Sequence, residues 1–258
     1  MCDKLGGSIL NELRKMETEY SAEQFADNYP VGMENNYWIH ARSLFVRRVL
    51  RRWLSAGASI LEVGCGAGIV LDFLARSGLN CRGVELGTPR LLPSVEALAW
   101  TGVGFQTLDG AYRNSVQAVL LLDVIEHIQD PEKFLSDISE AFSNLETVLI
   151  TVPARQELWS NYDDYFGHYR RYEQESLSAL LLESGYEVGE IGYFFHSLYL
   201  PMLVFNKLGL KRRVKNSGPK AIWLHRVVAY LHFLESCILP KRLIGGSLYA
   251  VARKKRGN

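Results

Sequence analysis

The most constraining feature of this sequence is a β-branched, apolar run followed at once by closely spaced glycines and then by a segment of helical period. Residues 59–63 (SILEV) predict a buried strand, residues 64–68 (GCGAG) a tight loop, and residues 69–78 (IVLDFLARSG) a helix that ends at a glycine. Backbone amides in such a loop point toward a ligand at the start of the helix. The pattern therefore predicts an α/β domain with a ligand-binding loop after its first strand.

Strand and helix patterns continue to alternate along the chain. The other predicted strands are residues 81–86, 103–108, 118–123, 147–152, 186–194 and 247–255, and the main predicted helices are residues 37–54, 130–142 and 173–185. Asp130 as N-cap and Pro131 at the first helical position mark the start of one helix. Continuous apolar strands between helices predict an α/β fold with a mainly parallel, seven-stranded sheet and helices on both faces.

The last two predicted strands are separated by about fifty residues, which is too long for a simple connection in a compact domain. We therefore expect a helical insertion before the last strand. The 258 residues divide into an N-terminal helical segment (1–40), an α/β core (41–195), the insertion (196–245) and a final strand with a basic tail (246–258).

The net charge of +1 conceals a strong asymmetry along the chain. Residues 205–258 hold 13 Lys or Arg and a single acid, Glu235, for a net charge of +12, whereas residues 1–204 have a net charge of −11. Charge separated this strongly indicates that the C-terminal fifth of the chain faces an anionic partner.

Composition and cysteine usage exclude several classes of protein. A hydrophobic content of 48% and a charged content of 22% are typical of a globular chain rather than a disordered one. The cysteines show neither CxxC pairs nor metal-ligand spacing, so we expect reduced thiols in a cytoplasmic protein: Cys2, Cys65, Cys81 and Cys237. We see no signal-peptide pattern at the N-terminus and no run of about 18 apolar residues that predicts a membrane-spanning helix.

Acidic residues near the glycine loop narrow the choice of ligand. A dinucleotide-binding fingerprint requires a third glycine where this chain has Ile69, and Glu62 in the preceding strand would repel a pyrophosphate. Glu62 suits a cationic ligand instead. Glu85 ends the next strand, where it can accept hydrogen bonds from ribose hydroxyls, and Asp109 follows the third predicted strand, placed to meet an adenine amino group. These acids predict a nucleoside ligand that carries an amine and a sulfonium.

Four segments carry a resemblance to a known family: ILEVGCGAGIVLDFL, GVEL, LDG and LLDVIEHIQDPEKFL. Together they resemble the motif series of class I S-adenosylmethionine-dependent methyltransferases, over roughly residues 40–195. The resemblance implies a Rossmann-like core, S-adenosylmethionine as cofactor, and a set of cofactor-binding residues: Arg42, Glu62, Gly64, Cys65, Gly66, Gly68, Glu85, Leu86, Asp109, Gly110, Asp123 and Val124. On spacing alone, Arg42 could equally be a helix-surface arginine.

Two stretches offer a base for removing a proton from the methyl acceptor. The first is DVIEHI, which places His127 directly after the fourth strand, at the edge where ligands bind in open α/β sheets. This stretch resembles the ubiquinone-pathway O-methyltransferases, in which an acid/acid/histidine trio (here Asp123, Glu126 and His127) supports a metal ion. We nevertheless expect no metal. The alternative for His127 is a residue that caps backbone groups at the start of a helix.

The second stretch is the polar and aromatic loop at residues 152–177, which includes GHYRRY and resembles a pattern of related bacterial methyltransferases. We expect His168 to be the base or to orient the acceptor, with Asp164 assisting it. Arg170 or Arg171 would grip an anion. Trp159 and Tyr169 complete the expected substrate-binding residues. The alternative is that Arg171 and Tyr172 only cap and pack the following helix.

The insertion twice repeats an apolar, aromatic stretch followed by basic residues, at 193–215 and 221–243. Apolar helices flanked by Trp, Tyr, Lys and Arg are typical of a membrane interface, although a helical lid or a dimer face would also fit. Because the aromatic residues are mixed with long aliphatic ones, we do not expect a nucleic-acid partner.

These features predict O-methylation of a hydroxyl on a lipid-linked or amphipathic acceptor, by a cytoplasmic enzyme that binds peripherally to the inner face of the membrane. The alternatives are a soluble small-molecule O- or N-methyltransferase whose insertion is only a lid, and a non-catalytic binding protein that retains the cofactor fold. The oligomeric state is left open.

Overall fold

The computed structural model describes residues 20–216 and 218–255. One seven-stranded sheet organises them, in the order β3-β2-β1-β4-β5-β7-β6. The strands are β1 (Ile60–Val63), β2 (Cys81–Glu85), β3 (Ala99–Thr101), β4 (Ala118–Leu122), β5 (Thr147–Pro153), β6 (Tyr186–Phe194) and β7 (Ser247–Lys254). All pairs are parallel except those of β7, which is antiparallel to both β5 and β6. The predicted mainly parallel α/β sheet is confirmed.

Helices cover both faces of this sheet. They are α1 (Ala22–Asn28), α2 (Tyr37–Trp53), α3 (Ile69–Arg76), α4 (Gly110–Ser115), α5 (Pro131–Ala141), α6 (Asn161–Tyr165), α7 (Gln174–Glu183), α8 (His196–Lys207) and α9 (Ile222–Ile238). The start of α5 follows the sequence signal, since the Asp130 side chain accepts a hydrogen bond from the Lys133 amide and Pro131 occupies the first turn.

The apolar strands in the middle of the sheet form the core. Every residue of β1 and β4 is buried, as expected for parallel strands covered on both faces. On one face they pack against α5 and α7, and on the other against α2 and α3. Because β1 and β4 are neighbours, the loops that follow them open at the same edge of the sheet.

One predicted strand is wrong. Residues 103–108 form a short 3-10 turn at Phe105–Thr107, and the strand that pairs with β2 is the three-residue segment β3. Phe105 and Leu108 are buried. The apolar residues at 103–108 therefore pack into the core without pairing as a strand. Asp109 consequently lies eight residues beyond β3, at the N-cap of α4.

The insertion lies between β6 and β7 and is helical, as predicted, with α8 and α9 as its elements. One side of α9 packs on α2, and the buried Ala229 marks this contact. Within the described residues, no helix is both long enough and apolar enough to cross a membrane. Of the predicted N-terminal helical segment, residues 1–19 lie outside the described residues, as do residues 256–258 of the tail.

Candidate active site

The glycine loop follows β1 and has the backbone that only glycine adopts easily. Gly64 and Gly68 have φ values of 77°, in the left-handed region. A Cβ at Gly64 would lie 2.8 Å from Cγ2 of Val124, and one at Gly68 would lie 2.5 Å from Cγ2 of Val95. The loop therefore packs tightly against Val124, which follows β4, and against Val95. We expect the methionine part of the cofactor to lie beside this loop.

Two buried charged residues beside the loop have polar atoms without partners among the described residues. Glu62 is 3% exposed and Arg42 is 8% exposed, and neither Oε2 of Glu62 nor Nε of Arg42 has a hydrogen-bond partner. Burial raises the pKa of Glu62 to about 8, with Glu85 adding to the shift and Arg42 opposing it. A ligand that brings both an ammonium and a carboxylate satisfies this pair, so the residues fit the methionine part of S-adenosylmethionine.

Glu85 and Asp109 also bind backbone amides. Glu85 accepts hydrogen bonds from the amides of Gly66 and Gly87, both at 2.9 Å, and so ties the glycine loop to the end of β2. Burial raises the pKa of Glu85, and these amide bonds oppose the shift. Asp109 Oδ1 accepts hydrogen bonds from the amides of Ala111 and Tyr112, as an N-cap of α4 does. Their expected contacts with ribose and adenine stay predictions.

Asp123 directly follows β4 and has a left-handed conformation, with a φ of 59° that is uncommon for a residue other than glycine. Its carboxylate pairs with Arg42 and accepts a hydrogen bond from Thr151 at 3.2 Å. Arg42 is thus a buried residue of the site and not a helix-surface arginine. Arg42 and Glu62 line one small cavity together with Gly64 of the glycine loop, while Gly110 is exposed at the start of α4.

The remaining predicted cofactor residues take ordinary places around the loop. Cys65 is 5% exposed, and burial raises the pKa of its thiol well above the usual value, so it is a small packed residue rather than a nucleophile. Leu86 follows β2, with a methyl group 3.4 Å from where a Cβ of Gly104 would lie.

Beyond Asp123, the GHYRRY stretch forms a second buried cluster. His168 Nδ1 lies 2.9 Å from Asp163 Oδ1. Arg171 donates to both oxygens of the same carboxylate, at 2.8 and 3.0 Å, and to the carbonyl of Ala154. Burial alone would raise the pKa of Asp163, but the bonds from His168 and Arg171 outweigh it and hold that pKa well below the usual range. Asp163 is therefore ionised and fixed, although it is fully buried.

The segment after β4 meets this cluster. The His127 and His168 rings are in edge contact, with centroids 4.6 Å apart, and the Tyr169 amide donates to the Glu126 carbonyl at 2.8 Å. Glu126 is fully buried, and neither oxygen of its carboxylate has a hydrogen-bond partner among the described residues. Burial, with Asp123 adding to it, raises the pKa of Glu126, while burial beside His168 lowers the pKa of His127 to about 3.

Glu126, His127 and His168 also have a spacing that suits a metal ion, since one potential ligand atom from each lies within 4.8 Å of the others. Asp123 is not part of this group, and its carboxylate instead contacts Arg42 and Thr151. The trio suggested by the resemblance is thus not the trio that the fold brings together: His168 replaces Asp123.

Several predicted acceptor residues have other partners. Asp164 is exposed and accepts a hydrogen bond from the Trp159 indole at 2.8 Å, so the place expected for it beside His168 belongs to Asp163. Arg171 is committed to Asp163, which corrects its expected role as an anion clamp. The guanidinium of Arg170 donates to the Gln129 carbonyl at 2.8 Å. Tyr169 is 44% exposed, and the Arg170 guanidinium lies 6.0 Å from the centroid of its ring.

Sequence reasoning missed three residues of the site. The Tyr29 ring lies over the glycine loop, since a Cβ at Gly66 would lie 2.6 Å from the Tyr29 hydroxyl. Tyr20 is in edge contact with His127, with centroids 5.2 Å apart. The third is Asp163, since the sequence predicts a role for its neighbour Asp164 instead. The two tyrosines lie in a polar N-terminal segment that contains no motif. The adjacent aspartates Asp163 and Asp164 do indicate a carboxylate near His168, but the sequence does not show which of the two contacts it.

Solved structures share this fold. A chain of the complex between the Haloferax volcanii Trm112 methyltransferase activator and a putative methyltransferase has a TM-score of 0.53 and 17% identity, covering 88% of this chain and 93% of that one. Phosphoethanolamine N-methyltransferase 2 of Haemonchus contortus, in complex with S-adenosylmethionine, has a TM-score of 0.52 and 19% identity, covering 92% and 60%. At these identities the likeness concerns the fold alone.

Curated proteins with similar sequences are methyltransferases, as the motifs predict. The chain is 32% identical over 87 residues to the ubiquinone biosynthesis O-methyltransferase of Cupriavidus pinatubonensis, a match that spans 31% of this chain and only 35% of that relative. It is 24% identical over 209 residues to a probable S-adenosylmethionine-dependent methyltransferase of Mycolicibacterium smegmatis, which covers 76% of this chain and 78% of that relative.

The family model described as a methyltransferase domain matches residues 37–191. These residues run from the start of α2 into β6 and include the glycine loop, its acids and the His127–His168 cluster. Because the match spans more than half of the chain, the chain belongs to this family of class I S-adenosylmethionine-dependent methyltransferases.

Proposed function

We propose that the chain methylates a hydroxyl on a lipid-linked or amphipathic acceptor at an anionic membrane surface. When bound, S-adenosylmethionine supplies the methyl group on a sulfonium. The chain's own residues then have two tasks, which are to hold the acceptor in line with that methyl group and to take the hydroxyl proton. The second task is typically worth about 10²–10⁴-fold in rate.

His168 is the residue that we propose takes the proton. An ionised carboxylate only accepts hydrogen bonds, so Nδ1 of His168 carries the hydrogen toward Asp163, and in the neutral ring Nε2 has the lone pair that accepts a proton. Arg171 holds the Asp163 carboxylate in place through two hydrogen bonds. Asp163 and Arg171 are therefore positioning residues, and the His168–Asp163 contact is the observation that carries the proton-transfer part of the proposal.

The outward-facing side of α9 is the observation that supports membrane binding. Its inner side packs on α2, whereas a stripe with helical spacing faces outward, with Trp223 70%, Leu231 60% and Ile238 77% exposed. Large apolar side chains exposed in a row are uncommon on a monomer surface and mark an interaction site. Leu200 of α8 and Leu208, the residue after this helix, are exposed to a similar extent, at 63% and 67%.

Basic side chains accompany these apolar ones. Exposed lysines and arginines occur along the insertion: Lys207, Lys211, Lys220, Arg226 and Arg242. Each such residue near an anionic leaflet adds about 1 kcal/mol to membrane binding. Apolar residues for the acyl boundary and cations for the headgroups together favour a bilayer surface over a closed lid.

A flotation experiment tests the membrane part. The native chain is expected to float with phosphatidylglycerol vesicles and not with phosphatidylcholine vesicles. Trp223→Glu and Leu231→Glu should each reduce the floating fraction, because a charge replaces an inserted apolar side chain. Leu182→Glu is the matched control, since Leu182 is 48% exposed but lies on α7, outside the insertion.

If the native chain fails to float with anionic vesicles, the membrane part is wrong. The soluble small-molecule methyltransferase with a helical lid then becomes the better description. Equal loss of flotation in Leu182→Glu and Leu231→Glu would also contradict a dedicated surface on α9.

A divalent cation is a second candidate for the acceptor side. The observation that favours it is the fully buried carboxylate of Glu126, which has no hydrogen-bond donor among the described residues and lies with His127 and His168 in ligand range. Two histidines and a carboxylate are a common donor set for transition metals. In that case His168 serves as a ligand rather than as the base, and turnover depends on added metal.

A further inference from the structure

Arginines lie on both sides of the site, and two of them are neutralised by carboxylates. Arg42 pairs with Asp123, and Arg171 pairs with Asp163 through two hydrogen bonds. The third is Arg212, from the segment of the insertion between α8 and α9. Among residues 20–216 and 218–255, no carboxylate lies within 4.0 Å of the Arg212 guanidinium, and no side-chain hydrogen bond engages it.

The backbone and side chain of Arg212 are nevertheless held in place. Its amide donates to Asn161 Oδ1 at 2.8 Å, and its carbonyl accepts from Asn161 Nδ2 at 2.9 Å. The guanidinium lies over the Tyr162 ring, 4.7 Å from the centroid. Arg212 is half-buried, whereas its neighbour Arg213 is exposed. The chain thus turns one cation of a basic stretch inward, and no carboxylate among the described residues forms an ion pair with it.

Contacts of Tyr162 place this cation at the acceptor wall. The Tyr162 ring packs on Phe166 with centroids 4.5 Å apart, and Phe166 packs on Tyr20, which contacts His127. Asp163, which holds His168, is the next residue after Tyr162. Arg212 therefore lies on the insertion side of the wall that carries the proposed base.

A partly desolvated guanidinium without an anion is costly, whereas one paired bidentately with a phosphate or carboxylate is among the strong polar contacts. Burial lowers the pKa of Arg212, yet guanidinium groups stay protonated in proteins, so the charge persists. We propose that Arg212 binds an anionic group of the methyl acceptor, of the phosphate class, and so determines which acceptors are used. This inference rests on the proposed function, because it assigns the anion to that acceptor.

The shared chemistry is a phosphate, which can belong to an acceptor inside the site or to a lipid headgroup at the surface. Calorimetry distinguishes them, with the full chain saturated with S-adenosylhomocysteine and titrated with inorganic phosphate. We expect saturable binding with a dissociation constant on the order of 1 mM. Arg212→Gln should weaken it by about tenfold or more, because a charge-assisted contact is lost. Arg213→Gln, the exposed neighbour, should change it less than about twofold.

Binding to phosphatidylglycerol vesicles tests the alternative that Arg212 contacts a lipid headgroup. Arg212→Gln and Arg213→Gln are expected to affect vesicle binding equally and weakly, since an inward cation serves the acceptor and not the bilayer. Absence of saturable phosphate binding by the native chain, or equal phosphate affinity in Arg212→Gln, would overturn the proposal. So would a loss of vesicle binding specific to Arg212→Gln, which indicates a headgroup contact.

The same titrations separate this inference from the proposed function. Binding of S-adenosylhomocysteine is measured first and does not involve Arg212. If the chain fails to bind S-adenosylhomocysteine, the proposed function fails whatever the phosphate result. If it binds S-adenosylhomocysteine but Arg212→Gln leaves phosphate affinity unchanged, only the role of Arg212 fails.

Discussion

The cofactor side and the acceptor side of this site are built in different ways. On the cofactor side, Glu62 and Glu85 come from neighbouring strands that are connected by one glycine loop and one helix. On the acceptor side, His168 comes from the segment after β5, His127 from the segment after β4, and Arg212 from an insertion that follows β6. Glu62, the glycine loop and Glu85 are local in the sequence, whereas the acceptor residues are brought together by the fold.

Buried charged residues of the site also differ in how they are satisfied. Among the described residues, Glu62 and Arg42 keep unpartnered polar atoms beside the glycine loop, as Glu126 does on the acceptor side, whereas Asp163 receives hydrogen bonds from His168 and Arg171 on both of its oxygens. A buried polar atom without a partner points to a ligand, and a carboxylate with every oxygen engaged points to a positioning role. We therefore expect that substitutions can impair cofactor binding and turnover separately.

The largest expected effect is on turnover, from His168→Ala. We expect kcat to fall by about 10²–10⁴-fold because the base is removed, while the affinity for S-adenosylhomocysteine changes by less than about twofold. Steady-state kinetics and calorimetry measure the two quantities. Asp164→Asn is the control and should retain turnover, since Asp164 is exposed and bonded to Trp159 rather than to His168.

The same variant distinguishes the base from the metal ligand. If His168 is the base, a chelator leaves native turnover unchanged. If turnover instead requires added Mn²⁺, and His168→Ala loses Mn²⁺ binding in calorimetry, the second candidate replaces the first. Normal turnover in His168→Ala would contradict both and make His127 with Glu126 the better site.

A smaller, pH-dependent effect is expected on the cofactor side. Glu62 has a pKa of about 8 in the free chain, and an ammonium ligand binds its ionised form, so binding below that pH must release a proton. The affinity for S-adenosylhomocysteine should therefore rise by up to about tenfold per pH unit between about pH 6 and pH 8, and then level off. Calorimetry across this range measures it.

Glu62→Gln should bind about tenfold or more weakly at pH 8 and show a flat profile in that window, because the titrating group is gone. Glu96→Gln, an exposed change, is the matched control. The raised pKa also means that the protonated form of Glu62 favours folding, a contribution that is present at acidic pH and lost as the pH rises through about 8. An unchanged slope in Glu62→Gln would refute the assignment of this proton.

The smallest expected effect is at Asp109. Asp109→Ala should lower the free energy of unfolding by about 1 kcal/mol, because α4 loses its N-cap, and urea denaturation measures this. Asp109→Asn keeps a capping oxygen and should be close to native. If Asp109 also meets the adenine amino group, Asp109→Ala loses cofactor affinity as well. A loss of stability with unchanged affinity would leave Asp109 a helix cap alone.

Short-range signals explain how much of the fold could be predicted. The β1–loop–α3 unit follows from a β-branched run, left-handed glycines and helical period, which are properties of adjacent residues. The third strand was misplaced because β3 has only three residues, too few to show a pattern. The stronger apolar signal just after it belongs to Phe105, which packs into the core from a turn.

By itself, the sequence determined the α/β sheet, the glycine loop, its acids and the helical insertion, since period, caps and glycines act over a few residues. Only the tertiary structure decided that Asp163 faces inward and Asp164 outward, because neighbouring residues of the short helix α6 point to different sides and packing selects one. It also decided that GHYRRY contributes His168 to a cluster with His127, while Arg171 serves Asp163. His127 and His168 are 41 residues apart in the chain, and the parallel pairing of β4 with β5 brings the segments after these strands to the same edge of the sheet.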